Sequence, residues 1–361
     1  MRAIVQDTYG PPEVLRVADV ASPTVGPKDV LIDVEASAVT GGDRRLRSGD
    51  FPGITWLPGR LSMGLTGPRK PVPGSVFAGR VAEVGADVER FQVGDAVFGT
   101  AMNGAYAPRL AMPADGAIAR MPSGLDFEQA APLAYGGGTA LHFLQKLAAL
   151  NSGEQVCILG ASGGVGHMAV QLARHMGAEV TAVCSERNHG LVRDLGAQHV
   201  VDYRGEDFRR TGRRYDVILD TIGASSFAHS REALAPAGRY LSLLVTGRLL
   251  LRMLAGSLLG PQRAITGVAM EGAPALERLA GLVEAGALRP HVDRVFPLER
   301  IAEAHAYAES GRARGAVVVR VAGAQASAGD GARGVGDRTH GGEVDLAAPR
   351  GDGGRGEAAH P

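Results

Sequence analysis

From Val156 the chain runs through an apolar stretch, Val156-Cys157-Ile158-Leu159, and a turn, Gly160-Ala161-Ser162-Gly163-Gly164-Val165-Gly166. It continues as His167-Met168-Ala169-Val170-Gln171-Leu172-Ala173. The pattern is that of a buried strand, a glycine turn and a helix. Such a reversal brings unpaired N–H groups and the positive end of a helix dipole to one point, which favours a phosphate. Set against the dinucleotide fingerprint G-x-G-x-x-G, the turn reads Ala161-x-Gly163-x-x-Gly166, with alanine in the first slot and Gly160 one place early. A glycine pattern alone says little in a chain with 52 glycines. Context says more: a second strand-like run, Glu179 to Cys184, completes a βαβ unit. No Gly-Lys-Ser/Thr follows, which excludes the phosphate loop of nucleoside triphosphatases. A dinucleotide is the expected ligand, with Ala161, Ser162, Gly163, Gly164, Val165 and Gly166 as its cradle.

The end of the second strand bears on which dinucleotide. NAD enzymes usually carry an acidic residue there, bonded to the ribose hydroxyls. Here the position falls at Cys184 or Ser185, followed by Glu186, Arg187 and Asn188. Ser185 can donate to a 2′-phosphate and Arg187 can add charge-assisted contacts, each worth about 1.5–3 kcal/mol. NADPH is the expected cofactor; the alternative is Glu186 in the acidic role with Arg187 merely solvated. Thr139, Thr221-Ile222-Gly223 and Leu243-Leu244 lie at or facing the carboxyl ends of parallel strands, where ligands of open α/β sheets bind. Thr139 can equally be a helix cap.

These residues need positioning elements. A length of 361 residues with 45% hydrophobic side chains suggests two domains with substantial cores. Lysine plus arginine and aspartate plus glutamate are equal at 38 each, so neither nucleic acid nor a membrane surface is indicated as the partner. No apolar run is long enough to span a bilayer, and Met1-Arg2-Ala3-Ile4-Val5 lacks a signal-peptide core. Cys157 and Cys184 read as reduced interior thiols, which points to the cytoplasm.

Residues 1 to 125 alternate apolar and polar side chains, as in Val30, Ile32 and Val34 against Leu31, Asp33 and Glu35, and prolines exclude long helices. This is an antiparallel, partly barrel-like β-domain. Residues 126 to 264 read as a doubly wound parallel sheet, with strands at 155–159, 179–184, 199–201, 215–219 and 239–243. Helices are expected on both sides of the run Gly136-Gly137-Gly138-Thr139. Residues 248–259 read as a packed amphipathic helix. The piece 265–322, with a strand Ile265 to Met270, is too small for its own core and is expected to complete the first domain. The Gly/Ala/Arg/Asp tail from 323 to 361 is expected to be disordered.

Several further motifs occur in order: Pro73-Gly74-Ser75-Val76-Phe77-Ala78-Gly79, Phe91-Gln92-Val93-Gly94-Asp95-Ala96-Val97-Phe98-Gly99, Leu195-Gly196-Ala197, Val201-Asp202-Tyr203, Asp216-Val217-Ile218-Leu219-Asp220 and Pro297-Leu298-Glu299-Arg300-Ile301-Ala302-Glu303-Ala304-His305. With the glycine turn they resemble the zinc-free medium-chain dehydrogenases/reductases of the quinone-oxidoreductase-like branch, over residues 1 to 321. The resemblance implies a GroES-like catalytic domain built around a Rossmann domain, with the active site between them. It further implies NADPH as hydride donor, a quinone, enone or activated carbonyl substrate, and a homodimer joined at the sheet edge near Ile265–Met270. Tyr203 would lie against the adenosine phosphate region.

Zinc-dependent relatives place Gly-His-Glu where this chain has Gly74-Ser75-Val76, and no cysteine precedes Cys157. Neither of their zinc sites can be built from thiolates at those positions. Where relatives carry Asn-Pro-x-Asp against the cofactor, this chain has Thr40-Gly41-Gly42-Asp43, and Arg45 stands where some carry a tyrosine. Thr40, Asp43 and Arg45 are thus the candidate catalytic residues. The proton donor stays open among Thr40, Tyr106, Tyr135 and water with the cofactor's ribose hydroxyl, with Arg45 an electrostatic stabiliser. Phe51, Trp56, Leu57 and Leu61 are expected either to line the substrate or to pack the loop that carries them. The rival classes are a non-catalytic NADPH-binding protein and a zinc alcohol dehydrogenase.

Overall fold

The computed structural model describes residues 1–51, 56–255, 260–269 and 272–321. The amino-terminal lobe opens with a two-stranded ribbon, β1 (Arg2–Gln6) and β2 (Leu15–Asp19). Its centre is β3 (Asp29–Val39), the long alternating strand, which leads into α1 (Gly41–Ser48) and then α2 (Trp56–Met63). Then come β4 (Val76–Val84), β5 (Ala96–Thr100), β6 (Arg109–Pro113) and β7 (Ile118–Arg120). β3 pairs antiparallel with both β4 and β6, and its inward Val30, Ile32 and Val34 meet Phe77, Val81 and Val97 in this lobe's core.

Residues 127–147 are helical throughout: α3 (Phe127–Pro132), a wide π turn (Leu133–Gly137), α4 (Gly138–Leu141) and a second π turn (His142–Leu147). The expected break at the glycine run is absent. Close packing accounts for one of its glycines: a Cβ on Gly136 would stand 2.6 Å from the Gly164 carbonyl oxygen. With no break there, Thr139 sits inside a helix, not at a cap.

The nucleotide lobe follows as β8 (Gln155–Leu159), α5 (Gly166–His175), β9 (Glu179–Cys184), α6 (His189–Asp194), β10 (His199–Asp202), β11 (Tyr215–Asp220), α7 (Phe227–Ser230), β12 (Leu234–Ser242), α8 (Gly247–Ala255) and β13 (Arg263–Thr266). These strands form one six-stranded sheet, ordered β10-β9-β8-β11-β12-β13, and every pairing is parallel. That is the Rossmann order, with its reversal between β8 and β11. β8 is buried at Val156, Cys157, Ile158 and Leu159 because helices cover both faces. Cys157 and Cys184 are free and buried.

The chain then forms α9 (Ala273–Glu284), β14 (Val292–Pro297), α10 (Ile301–Glu309) and β15 (Ala316–Arg320). β15 pairs antiparallel with β3 and parallel with β14, so this return completes the first lobe's sheet. The expected boundary at 264/265 is corrected here. β13 contains Ile265 and belongs to the parallel sheet, where it pairs with β12 from Arg239 to Ser242. Only the later part of 265–322 returns to the first lobe. Met270 and the tail from 323 lie outside the described residues. α8 is amphipathic as expected, but only one face packs: Leu249 is buried while Leu254 is 83% exposed. Among the described residues no helix is long and apolar enough to cross a membrane. All the described residues belong to one compact unit.

Candidate functional site

Ligands of open α/β sheets bind where strand order reverses, here beyond the carboxyl ends of β8 and β11. Gly160 ends β8 with a φ of 76°, and a Cβ there would come 2.7 Å from Thr221 Oγ1. Gly166 is tighter still: its Cβ would lie 2.1 Å from the Gly160 carbonyl oxygen and 2.8 Å from Ala161 Cα. Gly160 therefore makes the left-handed turn, and the fully buried Ala161 can carry its methyl group. The early glycine displaces the turn by one residue without abolishing it.

Around this turn, Ser162 Oγ accepts a hydrogen bond from Asn188 Nδ2 at 2.8 Å. Asn188 is buried beside the turn, and its Oδ1 has no partner. Gly163 and Gly164 have no side chain to fill the mouth, and Val165 starts the turn into α5. His167 locks the base. Its Nδ1 contacts the Gly163 carbonyl oxygen at 2.8 Å while its Nε2 accepts from the His291 N–H at 3.1 Å. Those two partners require a neutral ring protonated at Nδ1, and burial pushes its pKa down to about 4.

On the second strand's side, Ser185 is buried at the end of β9, with Glu186 and Arg187 exposed beyond it. Tyr203, after β10, is 60% exposed, and the Arg204 guanidinium lies 5.8 Å from its ring centroid. A feature that the sequence reading missed closes over the turn: the segment between α10 and β15. Gly315 N–H donates to the Ser162 carbonyl oxygen at 2.7 Å, and Gly163 bridges Gly315. Arg187 Nη2 donates to the Arg312 carbonyl oxygen at 3.0 Å. Arg312 and Arg314 thus bring two further exposed cations towards the glycine turn. The arginines and glycines of this segment were its only sequence signal, and its partner is distant in the chain.

At the other end of the crevice, Asp220 holds the loop after β11. Its Oδ1 accepts from the N–H groups of Ile222, Gly223 and Ala224, and its Oδ2 accepts from Ser225 N–H and the Tyr240 hydroxyl. This fixes Ile222, 60% exposed, at the crevice. Leu244 packs beneath Gly223, and Thr139 is buried in α4.

The first lobe contributes the start of α1. Thr40 and Asp43 form a reciprocal cap: Asp43 N–H donates to Thr40 Oγ1 at 3.0 Å, Thr40 N–H to Asp43 Oδ2 at 2.9 Å, and the Thr40 hydroxyl to Asp43 Oδ2 at 2.7 Å. Thr40's proton is therefore committed to Asp43. Burial pushes the Asp43 carboxyl up, while bonds from Thr40 and Ser75 pull it down. Behind it, Tyr106 is fully buried, and its hydroxyl reaches the Ala38 carbonyl oxygen at 3.4 Å and His305 Nε2 at 3.2 Å. This places Tyr106 in the lobe's core, with Asp43 as its charged neighbour.

Tyr135, from the π turn, spans the lobes instead. Its hydroxyl lies beside Gly41 and Gly42, 3.5 Å and 3.9 Å from where Cβ atoms on them would stand; burial raises its pKa, followed by the nearby Asp43 charge, with Arg45 opposing. Phe51 packs against Gly59. Trp56, Leu57 and Leu61 lie on α2 and are about half exposed, at 50%, 54% and 51%. The expected loop is thus partly a helix, with apolar side chains available to a ligand. Residues 52–55 lie outside the described set.

Two buried histidines give this site a pH signature. Burial lowers His305 to about 3, as it lowers His167 to about 4. An unfolded histidine titrates near 6.5, so the unfolded chain takes up protons first as pH falls. Stability is intact above about pH 6.5 and declines as pH drops towards the folded values, by on the order of 2 kcal/mol per histidine near pH 5. Melting at about pH 7 and pH 5 should show this loss, and His167→Gln should reduce the difference. An unchanged pH dependence in the variant would contradict the assignment.

Among the described residues no group of three or more His, Cys, Asp or Glu side chains is placed to hold a metal ion. The donors at the position in question, Thr40, Ser75 and Asp43, are bonded to one another, and this set does not fit a zinc ion.

Residues 26–123 match the family model described as an alcohol dehydrogenase GroES-like domain, and residues 195–319 match that of a zinc-binding dehydrogenase. The chain is 33% identical to human mitochondrial NAD(P)H oxidoreductase RTN4IP1, covering 89% of each. It is 32% identical to a quinone oxidoreductase of Pseudomonas aeruginosa, covering 86% of this chain and 97% of that one. It is 30% identical to the NADPH-dependent alkenal/one oxidoreductase of Arabidopsis thaliana chloroplasts, covering 88% and 79%. Among solved structures, the quinone oxidoreductase of Coxiella burnetii superposes with a TM-score of 0.78 at 31% identity, over 89% of this chain and 99% of that one.

Proposed function

Because the chain belongs to the zinc-free medium-chain dehydrogenases/reductases, in their quinone-oxidoreductase-like branch, we propose that it reduces a quinone, an enone or another activated carbonyl compound with NADPH. The relatives named as quinone, NAD(P)H and NADPH-dependent alkenal/one oxidoreductases support both the reductant and the acceptor class. The observation that carries the reading is the composition of the crevice. One end has a glycine turn with the exposed Arg187, Arg312 and Arg314 on the segments beside it, and the other has hydroxyls and a carboxylate that do not fit zinc.

The residues present fit NADPH. Ala161, Ser162, Gly163, Gly164, Val165 and Gly166 would hold the diphosphate at the start of α5. Ser185, Arg187 and Tyr203 would take the adenosine end and its 2′-phosphate, and the unpartnered Asn188 Oδ1 would accept from a hydroxyl. Thr40, Thr139 and Ile222 would border the nicotinamide end. NADPH, when bound, supplies the hydride. The chain's own part is to orient donor and acceptor and exclude water. The Thr40–Asp43 cap keeps the start of α1 rigid, and Arg45 offers a cation to charge developing on the acceptor oxygen.

Cofactor choice is testable. NADPH is expected to bind at least tenfold more tightly than NADH, and Arg187→Ala should remove about 1.5–3 kcal/mol of NADPH affinity while leaving NADH unchanged. Titration of both nucleotides checks this, and equal binding with an indifferent variant would overturn it. Oxidation of NADPH with a panel of quinones, enones and aldehydes tests the reaction. Tight NADPH binding with no turnover would make the chain a binding protein, and stoichiometric metal in the purified protein would make it a zinc alcohol dehydrogenase.

We further propose a cytoplasmic homodimer. The free, buried Cys157 and Cys184 support a reducing compartment. Edge strand β13, with Val268 70% exposed just beyond it, supports association through the parallel sheet. Light scattering during size exclusion would detect the dimer.

A further inference from the structure

Reduction of an enone needs a hydride at the β-carbon and a proton on the resulting enolate. None of the most obvious candidates supplies the proton. Thr40's hydroxyl proton is held by Asp43 Oδ2 at 2.7 Å. The fully buried Tyr106 is bonded towards His305 and Ala38 in the core. An arginine keeps its proton throughout the accessible pH range.

Tyr135 is placed differently. It lies on the Leu133–Gly137 π turn, a helix irregularity frequent at functional sites. The next residue, Gly136, lies so close to the Gly164 carbonyl oxygen that a Cβ would come within 2.6 Å of it. The backbone of Tyr135 is therefore anchored against the dinucleotide turn of one lobe. Its hydroxyl is at the start of α1 in the other lobe, 3.5 Å from where a Cβ on Gly41 would stand. It is also 3.9 Å from where a Cβ on Gly42 would stand, and Asp43 and Arg45 are its charged neighbours. The positive end of α1 and the Arg45 charge partly offset the burial and the Asp43 charge that would otherwise disfavour a phenolate once the proton has left.

We propose that Tyr135 is the acid of the reaction and that its use divides the acceptors into two classes. This deepens the proposed reductase reading and rests on it. With an enone, the hydride from NADPH forms a C–H bond at the β-carbon as the alkene π pair moves into the enolate. The Tyr135 O–H bond then breaks, its proton goes to the enolate, and its electron pair stays as phenolate until solvent returns a proton. With a quinone, the hydride forms an O–H bond at one carbonyl oxygen as the ring π pairs shift and the other oxygen takes the charge, leaving an aromatic hydroquinone anion. That anion is a far weaker base than an enolate, and water can protonate it after release. Tyr135 is thus required for enones and dispensable for quinones.

The test is Tyr135→Phe, which keeps the ring and removes only the hydroxyl. The enone kcat should fall about 100-fold, the usual scale of a single acid catalyst, while quinone kcat and NADPH affinity stay close to wild type. Independently of turnover, tyrosinate absorbance of the protein alone should lose one high-pH titration step in the variant. An equal effect on both acceptors, or none on either, overturns the assignment. If the wild type reduces quinones but no enone, the assignment falls while the quinone part of the reading stands. If it reduces neither, the reductase reading itself falls. Loss of NADPH binding in the variant would show that Tyr135 holds the lobes together and is not the acid.

Discussion

Asp220→Ala is expected to be among the most damaging single substitutions in the nucleotide lobe. The carboxylate is fully buried at the end of β11 and accepts from four successive N–H groups, Ile222 to Ser225, and from Tyr240. Alanine leaves these donors without a partner, and each stranded donor costs about 1–3 kcal/mol. Relaxation of the loop towards water recovers part of this, so a net loss on the order of 4 kcal/mol is expected. For a chain of this size that is a fall of roughly 6 °C in melting temperature. Asp220→Asn should recover only part of the loss, because its amide can replace Oδ1 but presents N–H groups to Ser225 N–H. A melting temperature within a degree or so of wild type for Asp220→Ala would contradict this account of the loop.

Gly166→Ala carries the second large effect, although it adds one methyl group. The added Cβ would meet backbone on two sides, Gly160 O at 2.1 Å and Ala161 Cα at 2.8 Å, with no flexible side chain to move aside. The start of α5 must therefore shift away from β8. Overpacking of this kind costs about 1–3 kcal/mol, and the phosphate cradle moves with it. NADPH affinity should fall by at least about 100-fold, since well-placed charge-assisted bonds are lost. Gly190→Ala is the matched control, because its Cβ meets nothing within 4 Å. It should leave binding intact and, in a helix, raise stability slightly. Calorimetric titration with NADPH distinguishes the two, and undiminished binding by Gly166→Ala would refute the proposed geometry of the turn.

What could be read from the sequence follows from how local each signal is. The strands β8, β9 and β11 announce themselves as apolar runs because helices bury both faces of the sheet. The turn was legible too, down to the displaced glycine at Gly160. The Thr40-x-x-Asp43 spacing matches a family motif, and its immediate physical role is a helix cap, which the same four residues encode.

Features set by packing between distant segments were hidden. The Gly136-Gly137-Gly138 run reads as a helix breaker, yet it is helical, and at Gly136 the distant Gly164 carbonyl oxygen leaves no room for a side chain. β13 is only four residues long, so nothing local tells that it extends the parallel sheet. β14 is half-exposed, contains an outward Arg294 and ends at Pro297, which masks its alternation. The approach of Gly315 to Ser162 spans more than a hundred residues and leaves no local pattern. Tyr135 was one of several proton-donor candidates in the sequence, and only the fold sets its hydroxyl beside Gly41 and Gly42.

The central claim is direct hydride transfer from NADPH to an acceptor in the crevice between the lobes. It is tested most directly with NADPH deuterated at the transferring C4 position, an enone acceptor and protein treated with a chelator. Deuterium at the β-carbon of the saturated product, with the solvent-derived proton at the α-carbon, is the predicted result. Product carrying solvent hydrogen at the β-carbon, or turnover that disappears on chelation and returns with zinc, would contradict it.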